Sequence, residues 1–306
     1  MLEPRRLRLL RELAARGTIA ATADACGYTP SGVSQQLALL EREVRTPLLV
    51  REGRRVALTE AARVLVGHAE RVLAELEAAE AALAGLSRSV TGVARLAAFP
   101  TAAAAFVPAA IARCRAEHPD LRVVLSEEET DEALLAVRSG RLDLALVYEY
   151  ALLPRLADPG VDVDPLLTEP LLAVLPAGRE APEQLPLATL RDEAWIAPHS
   201  DTALRTVLDR ACGLAGFAPS IDYASDDYTV IVALVAAGLG VSLLPRLAAE
   251  SLSADVQLRP VVEPALTRTV SLVTRAGGRA HPAISALSRC LRDSSTPRTE
   301  PWGEQA

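Results

Sequence analysis

Ser31, Ser34, Gln35 and Ala38 recur at the spacing of one helical face and form a small, uncharged, hydrogen-bonding set. Their chemistry suits the edges of DNA bases. A glutamine amide can pair with adenine, a serine hydroxyl with donors or acceptors, and an alanine methyl with thymine. Thr29-Pro30 starts this helix, because threonine at the cap accepts an orphan backbone N–H and proline at the first helical position needs no donor. On the opposite face Val33, Leu37 and Leu40 make a core stripe, whereas Leu39 falls on neither face. The preceding stretch, Gly17 to Tyr28, reads as a short alanine-rich helix that stops at Gly27. A second group, Arg51, Arg54 and Arg55, lies in Leu48–Thr59, which reads as an apolar strand, a glycine turn and a second strand. A basic hairpin beside a base-reading helix suits contact with phosphates or the minor groove. Phosphate contacts are therefore expected mainly from Arg51, Arg54, Arg55 and the capping hydroxyls of Thr29 and Ser31, and Pro30 between those two belongs to the same DNA-facing set. Base contacts are expected from Ser34, Gln35 and the neighbouring Ala38.

Three consecutive blocks, Ala20 to Glu41, Pro47-Leu48-Leu49-Val50-Arg51 and Arg54-Arg55-Val56-Ala57-Leu58-Thr59, resemble the N-terminal pattern of the LysR-type transcriptional regulators in order and spacing. Gly140-Arg141-Leu142-Asp143-Leu144-Ala145 and Ala237 to Pro245 are similar to that family's effector domain, so the resemblance runs over roughly residues 4–292. One departure stands in the recognition helix: the family often has a glutamine near its start, and this chain has Pro30. Proline offers no side-chain hydrogen bond, so the base preference of relatives does not carry over.

Length and composition fit the cytosolic regulator that this resemblance implies. At 306 residues the chain is long enough for two or three domains with buried cores. All 32 basic residues are arginine, with no lysine and no asparagine, which reads as the codon bias of a GC-rich genome. The net charge of −7 argues against DNA binding until it is divided. Residues 1–60 carry ten arginines against seven acids, net +3, and residues 92–306 carry 19 against 28, net −9. A basic head on an acidic body confines DNA contact to one end. Met1 to Arg16 interleaves charge with leucine and lacks the apolar run of a signal peptide. The uncharged run Tyr228 to Leu244 contains Gly238 and Gly240 and reads as helix, turn and strand, not as a membrane span. A cytoplasmic location is expected. Cys26, Cys114, Cys212 and Cys290 are scattered singly, which speaks against a metal site or a disulfide framework and for small buried side chains.

Between Thr59 and Gly85 the chain is interrupted by no proline, and Leu65, Ala69, Val72, Leu76, Ala79, Leu83 and Leu86 alternate spacings of four and three. This narrow stripe is the seam of a coiled coil, so Leu65, Val72, Leu76, Leu83 and Leu86 are expected to hold two copies together. Two recognition helices then read half-sites about one DNA turn apart. Ser87 to Gly92 is a polar hinge, and beyond it strands alternate with helices. Val93–Phe99, 122–127, 142–147, 171–175, 195–197, 221–224, 241–244 and 270–274 read as strands. Ala102–Glu117, 132–139, 202–215, 228–237 and 282–292 read as helices. Such alternation predicts largely parallel sheets.

The expected fold is thus α/β with an all-α winged helix-turn-helix head. The head spans residues 1–59, a linker helix and hinge 60–91, and a two-lobed effector domain 92–292. Lobe I covers 92–165 and 268–292, and lobe II covers 166–267. The tail 293–306, rich in Ser, Thr, Pro and Glu, is expected to be disordered. The resemblance implies a periplasmic-binding-protein-like fold with a small-molecule co-inducer in the cleft between lobes. It also implies double-stranded DNA, further copies of the chain (dimer or tetramer) and RNA polymerase as partners. Three segments fall on the rim of that cleft: Pro100-Thr101, the run His199-Ser200-Asp201-Thr202, and Asp226-Asp227, opposite the strand exit Tyr148-Glu149. Thr101 and Thr202 at helix starts would suit an effector carboxylate, and Glu149, Asp226 and Asp227 would equally suit an amine. The same residues also serve as plain helix caps. No nucleophile turn, phosphate-binding loop or metal-binding histidine pair occurs, so no catalytic residue, cofactor or metal is expected and no membrane partner. Two alternatives stand beside this reading: a cytosolic solute sensor without specific DNA binding, and a thiol-redox regulator, which would need a paired cysteine.

Overall fold

The computed structural model describes residues 1–52, 55–86, 89–154, 158–251 and 255–295. Three helices, α1 (Pro4–Arg16), α2 (Ile19–Cys26) and α3 (Pro30–Val44), precede an antiparallel hairpin of β1 (Leu49–Glu52) and β2 (Arg55–Leu58). The long helix α4 (Glu60–Ala84) follows. Local chemistry sets each boundary. Thr18, Thr29 and Thr59 each accept a backbone N–H of the first turn, and Gly17 and Gly27 end the first two helices in the left-handed conformation. Leu7, Leu10, Leu13, Val33, Leu37, Leu40 and Leu48 form the core of the head, and Ala62 and Ala69 close it from α4.

Eight strands make the main sheet of the second domain. In chain order its elements are β3 (Gly92–Ala98), α5 (Pro100–Ala105), α6 (Val107–Glu117), β4 (Leu121–Glu127), α7 (Thr130–Ser139), β5 (Leu144–Tyr150) and β6 (Val161–Pro176). There follow β7 (Leu185–Pro186), β8 (Ala194–Ala197), α8 (Ala203–Leu214), β9 (Ser220–Ala224), α9 (Tyr228–Ala236), β10 (Ser242–Pro245), α10 (Arg246–Ser251), β11 (Val256–Val262), β12 (Thr267–Arg275) and α11 (Pro282–Ser295).

The crossing strand β6 carries the architecture. Its first part, Val161 to Pro170, pairs with β12, and from Leu171 onward it pairs with β10 and β11. One strand therefore belongs to two lobes with separate cores. Leu96, Leu144, Leu146, Val270 and Leu287 lie in one, and Leu172, Val174, Trp195, Ile231 and Leu243 in the other. The exchange of partners falls between Pro170 and Leu171, so residues 166–170 pair within the first lobe and not the second. Only Leu171–Leu175 reads as a strand in the sequence because Pro165, Pro170 and Pro176 punctuate the run. Proline cannot donate to a ladder, and here Pro165 sits beside the register shift at Val270/Ser271.

The structure corrects other expectations. The sheet is mixed, not largely parallel. β3 is parallel to β4 and β5, but β12 is antiparallel to both β5 and β6, because the chain returns through the crossing strands. The single helix expected over 102–117 breaks at Phe106, where Pro108 in the first turn of α6 has no N–H to continue the ladder. Asp293 to Ser295 are the last turn of α11, not part of a disordered tail. The rest of that tail, and Ser87 and Arg88 of the hinge, lie outside the described residues.

Candidate DNA-reading head and effector cleft

The face of α3 expected to meet DNA is open. Thr29, Pro30, Ser31, Ser34, Gln35 and Ala38 are exposed, and Val33, Leu37 and Leu40 opposite them are fully buried. Thr29 Oγ accepts from the Gly32 N–H at 3.1 Å and hydrogen-bonds Ser31 Oγ at 3.1 Å. Ser34 Oγ donates to the Pro30 carbonyl at 3.0 Å, so it must swing outward before it can address a base. The side chains of Arg51 and Arg55, and the whole of Arg54, lie outside the described residues; the backbones of Arg51 and Arg55 are paired in the hairpin. Sequence reasoning missed what aims this hairpin. Glu41 Oε1, near the end of α3, accepts the backbone N–H groups of Leu48 and Leu49 at 2.8 and 3.0 Å. Thr59 Oγ donates to the Pro47 carbonyl at 2.9 Å at the other end.

The dimerisation stripe divides along α4. Val72, Leu76, Leu83 and Leu86 are exposed. Leu65 is half-buried against the head core and Ala69 is fully buried in it, so the N-terminal end of the expected seam packs inward. The other face of α4 is fastened to the second domain. Gly277, at φ 83°, lets the turn after β12 approach so closely that a Cβ there would stand 2.1 Å from the Ala74 carbonyl oxygen. Arg275 Nε donates to Glu77 at 2.9 Å.

A buried charge cluster ties the head to the same lobe. Arg11 donates to the Arg138 carbonyl at 2.6 Å, Arg16 to the Leu135 carbonyl at 2.9 Å, and Arg138 pairs with Glu70 at 2.7 Å and with Asp158 at 2.9 Å. Burial pushes the Glu70 carboxyl above its usual range even though Arg138 and Arg11 pull it down. These residues are far apart in sequence, so their partnership leaves no local pattern. This lobe is thereby fastened to α1 and α4.

Between the lobes lie two cavities of about 410 and 800 Å³, which share Glu129, Tyr148, Asp226 and Tyr228 in their walls. Pro100, Thr101 and Asp227 line the smaller, and Glu149, Asp201 and Thr202 the larger. His199 and Ser200 are exposed and stand outside both walls; His199 instead pairs with Asp226, Nδ1 to Oδ2 3.0 Å. The sequence reading brought most of these residues together but missed Glu129, Tyr228 and Arg268.

Arg268 closes the floor of the cleft. It is fully buried, donates from Nε to Glu169 at 2.7 Å and from Nη2 to Thr101 Oγ at 3.1 Å, and lies 5.0 and 5.2 Å from the rings of Phe99 and Tyr148. Burial pushes the Tyr228 hydroxyl up to about 12 and raises those of Tyr148 and Tyr150 further, so all three stay protonated donors. Thr202 Oγ accepts from the Arg205 N–H and Asp227 from the Thr229 N–H, so the helix starts at α8 and α9 are capped by their own side chains.

The thiols are placed differently from their scattered positions in sequence. Cys114 on α6 and Cys290 on α11 are both buried in the core of the same lobe, whereas Cys212 lies in the other lobe's core. Burial raises all four thiols, Cys114 and Cys212 to about 12, which opposes the thiolate that redox chemistry needs. Among the described residues no helix is long and apolar enough to cross a membrane, and no cluster of His, Cys, Asp and Glu could hold a metal ion.

Comparison with known proteins agrees with this architecture. Residues 4–63 match the model of the bacterial regulatory helix-turn-helix protein, lysR family, and residues 87–296 match the LysR substrate binding domain. The nitrogen assimilation regulatory protein nac of Klebsiella aerogenes is 28% identical over 291 residues, covering 94% of this chain and 93% of that protein. A probable hydrogen peroxide-inducible genes activator of Streptomyces viridosporus is 32% identical over 280 residues, covering 89% and 88%. Among solved structures, a full-length OxyR variant from Pseudomonas aeruginosa has the same fold, with a TM-score of 0.66 at 22% identity over 100% of this chain and 99% of that one. HinK of the same organism, a LysR family transcriptional regulator, gives 0.58 at 22% identity over 95% and 98%. The winged head with its open α3 face, joined by a long helix to a two-lobed domain with a cleft, therefore belongs to a member of the LysR family of DNA-binding transcriptional regulators.

Proposed function

We propose that this regulator acts in the cytoplasm as a dimer or tetramer that reads a roughly palindromic promoter site and is controlled by a small molecule in the inter-lobe cleft. Contact with RNA polymerase follows if it activates. The observation that carries the reading is the exposed, uncharged face of α3, held by the Thr29 cap beside a hairpin that Glu41 positions. Lobe motion would reach that face through the buried Arg11, Glu70 and Arg138 cluster and through Arg275–Glu77.

The test is a footprint of the purified protein on the DNA upstream of its own gene, at low and moderate salt. A protected palindromic site that weakens steeply with salt is expected. Protection no stronger than on random DNA, with and without ligand, would sink the proposal. Within this assay Gln35→Ala should lower affinity for the site by roughly tenfold and relax base preference. Arg54→Ala should weaken all sequences alike and flatten the salt slope by about one unit. Equal losses for specific and random DNA in both variants would overturn that division of labour.

A further inference from the structure

We infer that the ligand of the inter-lobe cleft is a small organic cation, an amine or guanidinium compound. The inference rests on the reading of this cleft as the effector site; the carboxylates of its wall decide the sign of the ligand's charge. The larger cavity is lined by six carboxylates, Glu129, Asp131, Glu132, Glu149, Asp201 and Asp226, and by no arginine or histidine. The smaller adds Asp227 and has one cation in its wall, Arg268. That guanidinium is already neutralised by buried Glu169 and bonded to Thr101, so its charge is spent inside the protein.

The helix starts at α8 and α9, which would otherwise welcome an anion, are occupied by their own side chains. The Thr101 hydroxyl receives Arg268, the Thr202 hydroxyl fills the start of α8, and Asp227 places a negative charge on the start of α9. A carboxylate ligand would enter a field of like charge. A cation meets the opposite situation. Glu129 accepts from the Tyr148 hydroxyl at 2.8 Å, Asp226 meets the His199 backbone N–H on Oδ1 and His199 Nδ1 on Oδ2, both at 3.0 Å, and an ionised carboxylate has about four acceptor sites in all. Both therefore keep lone pairs for an ammonium group. Tyr148 and Tyr228 border both cavities and add aromatic surface for the ligand's carbon skeleton.

The experiment compares matched pairs on the full-length protein by thermal shift and calorimetry: putrescine with succinate, phenethylamine with 3-phenylpropionate, and a series of aliphatic and aryl amines with their acids. At least one amine is expected to bind while its acid counterpart does not, with affinity falling about tenfold in each of Asp226→Asn and Glu129→Gln. Binding by acids in place of amines overturns the charge assignment, and if those variants alter it, the cleft stands as the effector site. Amine binding that neither variant weakens overturns the placement. Silence from every amine at millimolar concentration overturns the inference outright. The promoter footprint, read alongside, separates the two claims: an amine that binds as expected but leaves the footprint unchanged upholds the ligand's charge and removes effector control.

Discussion

Replacing Leu76 with arginine is expected to leave the fold intact, turn the protein into a monomer and weaken promoter binding by about a hundredfold to ten-thousandfold, the advantage of two linked heads over one. Helix α4 is 25 residues long, and one of its faces is committed to its own chain through Ala62, Ala69, Leu73 and Ala81. Its other face leaves Val72 44%, Leu76 42% and Leu83 69% exposed, and Leu86, just past its end, is 80% exposed, which makes an apolar stripe open to a partner. A charge on that stripe costs little in a monomer and much between two packed helices. Sedimentation equilibrium is the measurement, with Leu83→Arg, further from the head, as a second variant. A dimer that survives both substitutions places the interface elsewhere, with the effector domains the next candidate.

Glu169→Ala carries the largest expected loss of stability, about 3–5 kcal/mol, because it leaves a fully buried guanidinium without its counter-charge. Both partners are 1% exposed, and Glu169 also accepts the Leu247 N–H at 2.7 Å, so the start of α10 loses a bond as well. For a domain of this size such a loss lowers the melting temperature by about 10 °C. Joint replacement, Glu169→Leu with Arg268→Met, should recover most of it, since the expense lies in the unpaired charge and not in the absence of the pair. Calorimetric melting of the three proteins decides the point. If the single variant melts within a degree or two of the parent, Arg268 finds another partner and the floor of the cleft is not held by this pair.

The two predictions fall on opposite sides of what the residues disclose on their own. The stripe on α4, the Thr29-Pro30 start of α3 and the division of α3 into a core face and a small polar face are all local. A helix forces residues three and four apart onto one side, so each helix's own residues contain everything needed to read them. The wing hairpin is local in the same sense, and the most informative resemblance lies in this part of the chain. The cleft was legible only in outline. Thr101, Tyr148, Asp226 and Asp227 came together as expected, while His199 and Ser200 stayed outside. Arg268 gave no signal, because a strand arginine looks the same whether it meets water or Glu169.

The sequence by itself determined the kind of protein, a winged DNA-reading head, a linker helix with a spare apolar face, and an α/β effector domain. These follow from periodicity, caps and turn residues, which act over one or two helical turns. Tertiary structure alone decided which charges are neutralised and which remain for a ligand. Glu169 reaches Arg268 across 99 residues and Glu70 reaches Arg138 across 68. It also decided that β6 serves both lobes and that Cys114 and Cys290 share one core. The physical reason is that a buried charge takes its meaning from its partner, and that partner is brought within hydrogen-bonding distance only by the path of the folded chain.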